Sequence, residues 1–231
     1  MTQARSAHVR RIPSGRARLW ASRTPVLTRL DIELTERCDN DCVHCSVNRP
    51  AGDRDARAGE WPAASWKKLL DEAAGLGCLV VRLTGGEPML RGDFEDIYLH
   101  ARRLGLRVMI FTNATLVTPR LARVLKDVPP LEAVEVSVYG MRRESYEAVT
   151  RTPGSHEAFR RGLGLLAENG APFVVKGVFL PATRGETGEF EAWAAALPGR
   201  SAEPSYAVLF DLRSRRDGGK NGSIAALRVP P

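Results

Sequence analysis

Three of the four cysteines in this 231-residue chain, Cys38, Cys42 and Cys45, sit in one short stretch, TERCDNDCVHCSVN. Such crowding does not resemble a secreted disulfide framework; in a reducing compartment it points to a metal or redox site. Three thiolates suit soft metals: zinc, copper(I) or an iron-sulfur cluster. A closed zinc site needs a fourth ligand. The remaining cysteine, Cys78, stands alone, and His44 lies between two of the thiols in a loop too tight for all four groups to meet one ion. A four-iron cluster usually takes four cysteines, so three leave one iron open, and an open coordination position is the mark of a catalytic metal site. The spacing favours that open cluster, with zinc and a redox or purely structural role as alternatives.

A second stretch, LTGGEPML, contains Gly85, Gly86, Glu87 and Pro88. The glycines permit close backbone approach and unusual dihedrals, Glu87 offers a carboxylate to an ammonium group, and the proline stiffens the turn. Alone it could be an ordinary connection between a strand and a helix. Its meaning comes from lying in the loop next to the cysteines.

The elements that position these loops alternate strand and helix from residue 27 onward, the pattern of βα units around a parallel sheet. Six strands are predicted, at residues 30–35, 79–84, 107–112, 133–139, 173–180 and 205–211. Thr118 followed by Pro119 reads as a helix start. Ser155 reads as the cap of a helix with Phe159, Leu163 and Leu166 on one face, and Gly77, Gly105 and Gly170 read as helix stops. A βα barrel and a doubly wound sheet both satisfy this rhythm. Alternation then sorts the strand faces: Leu30, Ile32 and Leu34 oppose Asp31, Glu33 and Thr35, and Val134, Val136 and Val138 oppose Glu135, Ser137 and Tyr139. With Arg82, Thr84, Lys176 and Asp211 also on polar faces, the interior is charged. A filled barrel has an apolar interior, so a wider or incompletely closed barrel holding a polar ligand is expected; mutual pairing of these charges is the plainer reading.

The formal charge of +7 is local. Residues 1–30 hold seven arginines and no acid, and the rest of the chain balances 27 basic residues against 27 acidic ones. The basicity belongs to an N-terminal extension, residues 1–26, expected to be solvated and weakly ordered, and no nucleic-acid partner is expected. No apolar run is long enough for a membrane helix, and the charged start does not read as a secretory signal, so a cytoplasmic location is expected.

Taken together, CxxxCxxC after the first strand, His44 before the last cysteine, and GGEP after the second strand resemble the radical S-adenosylmethionine family over residues 27–212. Within it, ELTERCDNDCVHC, VEVSVYG and RTPGSHEAF look most like the peptide-modifying enzymes that carry a C-terminal SPASM domain. The resemblance implies an α/β fold, an incomplete (β/α)6 TIM-like barrel. It implies a 4Fe-4S cluster on Cys38, Cys42 and Cys45, with S-adenosylmethionine chelated at the open iron. His44 then lies near the adenine, and Gly85, Gly86, Glu87 and Pro88 form the turn that receives the methionine amino group. Ser137 matches a ribose or carboxylate contact, Arg151 a carboxylate contact, and Asn113 a further contact; the plainer roles are a barrel hydrogen bond, a surface charge and a turn cap. The implied partners are an electron donor such as flavodoxin or ferredoxin and a peptide or small-molecule substrate. Two departures stand out. Asp39 and Asn40 follow the first cysteine where many relatives have asparagine and leucine, a change not expected to prevent cluster binding. Residues 213–231 resemble a shortened linker toward a missing domain, and no cysteine follows Cys78 to hold an auxiliary cluster. A truncated, non-catalytic cluster-binding remnant, or a partner subunit of a split enzyme, is therefore the alternative to an active enzyme.

Overall fold

The computed structural model describes residues 27–47, 49–208 and 218–227. Six parallel strands form one sheet: β1 (Arg29–Thr35), β2 (Val80–Gly85), β3 (Arg107–Thr112), β4 (Leu131–Val138), β5 (Phe173–Phe179) and β6 (Ser205–Val208). They lie side by side in chain order. A doubly wound sheet needs a point where that order reverses, and none occurs, so the arrangement is the incomplete (β/α)6 barrel. Each expected strand appears within two residues of its expected start; Asp211 and the end of the sixth expected strand lie outside the described residues, as do residues 1–26.

The connecting helices are α1 (Arg54–Ala58), α2 (Ala63–Gly75), α3 (Phe94–Arg103), α4 (Pro119–Asp127), α5 (Arg143–Thr150), α6 (Ser155–Asn169) and α7 (Thr187–Ala195), with α8 (Asn221–Ala225) following β6. The Thr118 hydroxyl accepts from the Leu121 amide at 3.2 Å, as the Thr-Pro signal predicts. Helices α2, α3 and α6 give way to Gly77, Gly105 and Gly170 with φ of 87°, 80° and 70°, a left-handed turn that glycine makes without strain. Ser155 is corrected. Gly154, at φ 82°, occupies the cap position instead, and the Ser155 hydroxyl bonds the Thr150 hydroxyl at 2.7 Å, joining α6 to the end of α5.

The two faces of the sheet divide as alternation predicts. Val81, Leu83, Val108, Ile110, Val134, Val136, Phe173 and Val175 are buried against the helices, where they meet Leu70, Ile97, Leu125, Phe159 and Leu166. The inner face carries Arg82, Thr84, Met109, Phe111, Glu135, Ser137 and Lys176, all only half-buried. Its charges pair across neighbouring strands, Arg82 with Asp31 at 2.7 Å and Lys176 with Glu135 at 3.2 Å. Both cations also lie over the Phe111 ring, at 4.7 and 5.6 Å from its centroid. The plainer reading of these charges therefore accounts for Arg82 and Lys176, within a face that stays open to solvent.

Sidedness sets unequal prices on substitution. Ile110→Ala on the helix face is expected to lower the unfolding free energy by about 2–5 kcal/mol. Lys176→Met on the inner face should change it by less than about 1 kcal/mol. Equal losses in urea denaturation would contradict the assignment of faces.

Candidate functional site

The cysteine loop begins where β1 ends. Arg37 and Cys38 form a short parallel ladder with Arg49 and Pro50, so the loop leaves and returns along itself. A half-buried acid supports its base: Glu60 takes the Arg37 guanidinium at 2.8 Å, the Arg91 guanidinium at 3.3 Å and the Thr35 hydroxyl at 2.5 Å. Its far side is fastened to the end of α5, where the Asp41 and Val43 amides donate to the Thr150 and Val149 carbonyls, both at 2.9 Å. Arg151 adds bonds to the Asp41 carbonyl at 2.8 Å and carboxylate at 2.5 Å, and Lys220 reaches that carboxylate at 2.7 Å. Ile224, in α8, is 1% exposed, the one buried side chain in the described part of the stretch expected to be a linker.

The GGEP turn lies directly against this loop. The Gly86 amide donates to the Thr35 carbonyl at 2.8 Å, and the Glu87 amide to the Arg37 carbonyl at 2.9 Å. A Cβ on Gly85 would fall 2.2 Å from the Thr35 oxygen, and one on Gly86 2.2 Å from the Arg37 oxygen. No other residue fits at either position, which is the physical content of the double glycine.

Cys38, Cys42, Cys45, Asn40 and His44 line a cleft of about 150 Å³ together with Thr84, Gly85, Gly86, Phe111, Thr112, Asn113, Ser137 and Tyr139. A larger cleft, of about 500 Å³, opens between β1 and the Trp61–Trp66 pair, but no thiol lines it. The thiol-lined cleft is the candidate site because it gathers the ligating groups. Burial pushes the Cys38 and Cys42 thiols well above their ordinary value, so both are protonated until a metal takes the proton's place. Two of the sulfurs have a backbone hydrogen-bond donor: the Asn40 amide N–H reaches Cys38 at 3.4 Å and the Val47 N–H reaches Cys45 at 3.4 Å.

Three expected residues stand differently from their sequence reading. The Glu87 carboxylate does not line the cleft. It is fully buried beneath the turn, where it accepts from the Thr112 hydroxyl at 2.9 Å, the Asn113 amide at 2.8 Å and the Met89 amide at 3.0 Å. It ties β2 to β3, and Pro88 starts a single 3-10 turn behind it. Arg151 is spent on Asp41 outside the cleft, with its backbone in the left-handed region at φ 52°. Asn113 does line the cleft, but its side-chain N–H is committed to Asp39 at 2.9 Å, with the Cys38 sulfur 3.8 Å away. Thr115 completes this cluster at 2.5 Å from the Asp39 carboxylate. Sequence reasoning overlooked Tyr139, although alternation places it on the same face as Ser137.

Two unpartnered groups mark the cleft as a ligand site. Neither polar atom of the Asn40 side chain, 4% exposed, has a hydrogen-bond partner, and neither does buried Nδ1 of His44. An unsatisfied buried polar group costs about 1–3 kcal/mol. Burial lowers the His44 pKa to about 4, so the ring is neutral near pH 7, tilted at 51° to Tyr139 with 5.6 Å between centroids. Among the described residues no three His, Cys, Asp or Glu side chains converge as a single-ion site. A cuboidal cluster makes no such demand, because each thiolate binds a different iron. The donor set, its sulfur-directed hydrogen bonds and the unpartnered amide fit such a cluster.

The radical SAM superfamily model matches residues 32–195. The chain belongs to that superfamily. Radical SAM relatives include an AdoMet-dependent heme synthase of Methanosarcina barkeri, 34% identical over 62% of this chain and 40% of its own length. A PqqA peptide cyclase of Methylocella silvestris is 31% identical over 75% of this chain and 46% of its own. The chain thus spans less than half the length of these curated relatives. Among solved structures, Streptococcus suis SuiB bound to the precursor peptide SuiA superposes with a TM-score of 0.61 at 20% identity, covering 71% of this chain and 36% of SuiB. Native anSMEcpe with bound AdoMet also gives 0.61, at 16% identity over 83% of this chain and 55% of its own. At these identities the likeness is one of fold. The radical SAM chain has no helix long and apolar enough to cross a membrane among the described residues.

Burial raises the Glu87 pKa from 4.5 to about 7. The folded state therefore holds this proton more tightly than the unfolded chain, and the stability so contributed is complete below about pH 4.5 and disappears as pH rises through about 7. In the metal-free protein, the stability of wild type relative to Glu87→Gln should fall between pH 4.5 and 7.5. A flat difference in urea titrations would show that the carboxyl does not titrate in the fold.

Proposed function

We propose that this chain is a radical S-adenosylmethionine enzyme core that initiates hydrogen abstraction from a peptide or peptide-derived precursor. The observation that carries the reading is the convergence of three thiols, the GGEP backbone, Ser137 and an aromatic pair on one cleft. Cys38, Cys42 and Cys45 would hold a 4Fe-4S cluster, leaving one iron open for the methionine amine and carboxylate. When bound, the cluster supplies, from a donor such as flavodoxin or ferredoxin, the electron that cleaves S-adenosylmethionine to methionine and a 5'-deoxyadenosyl radical able to abstract hydrogen from the substrate.

The residues of this chain bind, orient and exclude water. The glycine backbones form a wall that methionine can approach without meeting a side chain. His44, neutral and set at a tilt beside the Tyr139 ring, would offer its apolar face to the adenine, and Ser137 a hydroxyl to the ribose or carboxylate. Pro88 and Glu87 act by holding the glycines in place, Asn113 by fixing Asp39 beside Cys38, and Arg151 by anchoring the loop through Asp41. The half-buried inner face, with its paired charges, is the surface a polar substrate would meet.

A peptide substrate draws support from the relatives named PqqA peptide cyclases. Relatives named heme synthases make a heme precursor the competing outcome. Because the chain spans less than half of these relatives, a cluster-carrying unit that works with a partner subunit, without turnover of its own, is the second reading. A cytoplasmic location accords with a reducible cluster.

Anaerobic reconstitution with iron and sulfide should give about four irons per chain and a brown protein. The triple substitution of Cys38, Cys42 and Cys45 by alanine should abolish both. Dithionite should then release 5'-deoxyadenosine from S-adenosylmethionine. Unchanged iron in the triple variant sinks the proposal, and full iron without cleavage selects the non-catalytic reading.

A further inference from the structure

Among the described cleft residues, Asn40 is the one whose side chain is buried with both of its polar atoms unpartnered. It stands between the first two thiols and is 4% exposed. Its side-chain nitrogen and oxygen both lack partners. Its acidic neighbours are engaged, Asp39 by Asn113 and Thr115 and Asp41 by Arg151 and Lys220, and of the other cleft side chains His44 leaves one ring nitrogen without a partner. The backbone N–H of Asn40 points at the Cys38 sulfur from 3.4 Å, so this residue already turns a donor toward the ligand set. Leucine has the same branched shape and would remove the desolvation penalty of an unpaired amide.

Resting on the cluster assignment of Cys38, Cys42 and Cys45, we propose that the Asn40 side-chain amide is a positioning donor to the bound cluster, its N–H directed at a cluster sulfur. Sulfur in a cluster only accepts, so the nitrogen must face it and the oxygen must turn away. Asn40 belongs to the loop that carries the three thiols, whereas Thr84, Gly85, Gly86 and Ser137, which line the same cleft from the sheet and the GGEP turn, would be left for the methionine end of the cofactor. Hydrogen bonds to cluster sulfur stabilise the more negative, reduced state and so raise the reduction potential. The amide would thus set how readily the cluster accepts its electron, with no direct part in binding iron.

The test uses the full chain, reconstituted anaerobically, as wild type, Asn40→Leu and Asn40→Asp. All three are expected to hold the same iron and sulfide. Redox titration, followed by the reduced-cluster EPR signal so that only loaded protein is read, should show both variants shifted to more negative potential. For Asn40→Leu the expected shift corresponds to about a tenfold smaller reduction equilibrium constant, or ~59 mV for one electron. Before reconstitution, Asn40→Leu should unfold at a higher temperature than wild type, because the unpaired amide is gone. Wild type that binds no iron would overturn the cluster assignment itself. Wild type that loads normally, with Asn40→Leu at an unchanged potential, would overturn the role of Asn40 alone. Weaker S-adenosylmethionine binding at an unchanged potential would do so too, by moving the amide's partner to the cofactor.

Discussion

Everything in the cleft depends on two backbones lying in contact: the GGEP turn and the segment Thr35–Arg37. With oxygen atoms only 2.2 Å from where a Cβ would stand, the turn can close on the exit of β1 only as glycine. Once closed, two backbone hydrogen bonds fix the cysteine loop relative to β2. Glu87 then carries the constraint one strand further, because its buried carboxylate takes donors from the start of the β3 loop. Asn113, placed by that contact, reaches back to Asp39 beside the first thiol. The path runs from β1 to β2 to β3 and returns to the loop where it began. A displacement at any point in it moves the sulfurs.

The sheet makes this closed path affordable. Its helix face is continuous hydrocarbon, which fixes the spacing of the strand ends through packing rather than through polar contacts. Its inner face is free to carry Arg82, Glu135, Ser137 and Lys176 because the barrel is incomplete and these groups keep access to water or to one another. A closed, filled barrel of this strand number would have to bury those charges, at several kcal/mol per ion. The open architecture and the polar interior are therefore one property seen from two sides.

Much of this was legible in the sequence because the signals were local. Strand alternation and glycine after a helix each follow from a few neighbouring residues, and each appears as expected. The misreadings came where a local pattern was compatible with two tertiary settings. A carboxylate in a glycine turn reads as a ligand group, and only packing shows Glu87 beneath the turn with its oxygens taken by backbone amides. Arg151 reads as a free cation until the end of α5 places it against Asp41. Ser155 has cap chemistry, but Gly154 can adopt the left-handed conformation that the junction between α5 and α6 requires. Asn40 looked like a mild departure, since no sequence pattern reveals that an amide is both buried and unpaired.

The anchoring of the cysteine loop bears on how a cluster site can exist before its cluster. Small metal domains often fold only on binding, because nothing else holds their ligands. Here the loop is fixed at its base by Glu60 and at its far side by backbone bonds to Thr150 and Val149, with Arg151 and Lys220 on Asp41. The fold has thus already ordered the loop, and on the proposed cluster reading a metal would only have to replace the protons that burial holds on Cys38 and Cys42. On the same reading, the burial that keeps the Cys38 and Cys42 thiols protonated would also exclude water from those two sulfurs once they were ligated, so one feature of the packing would serve both states.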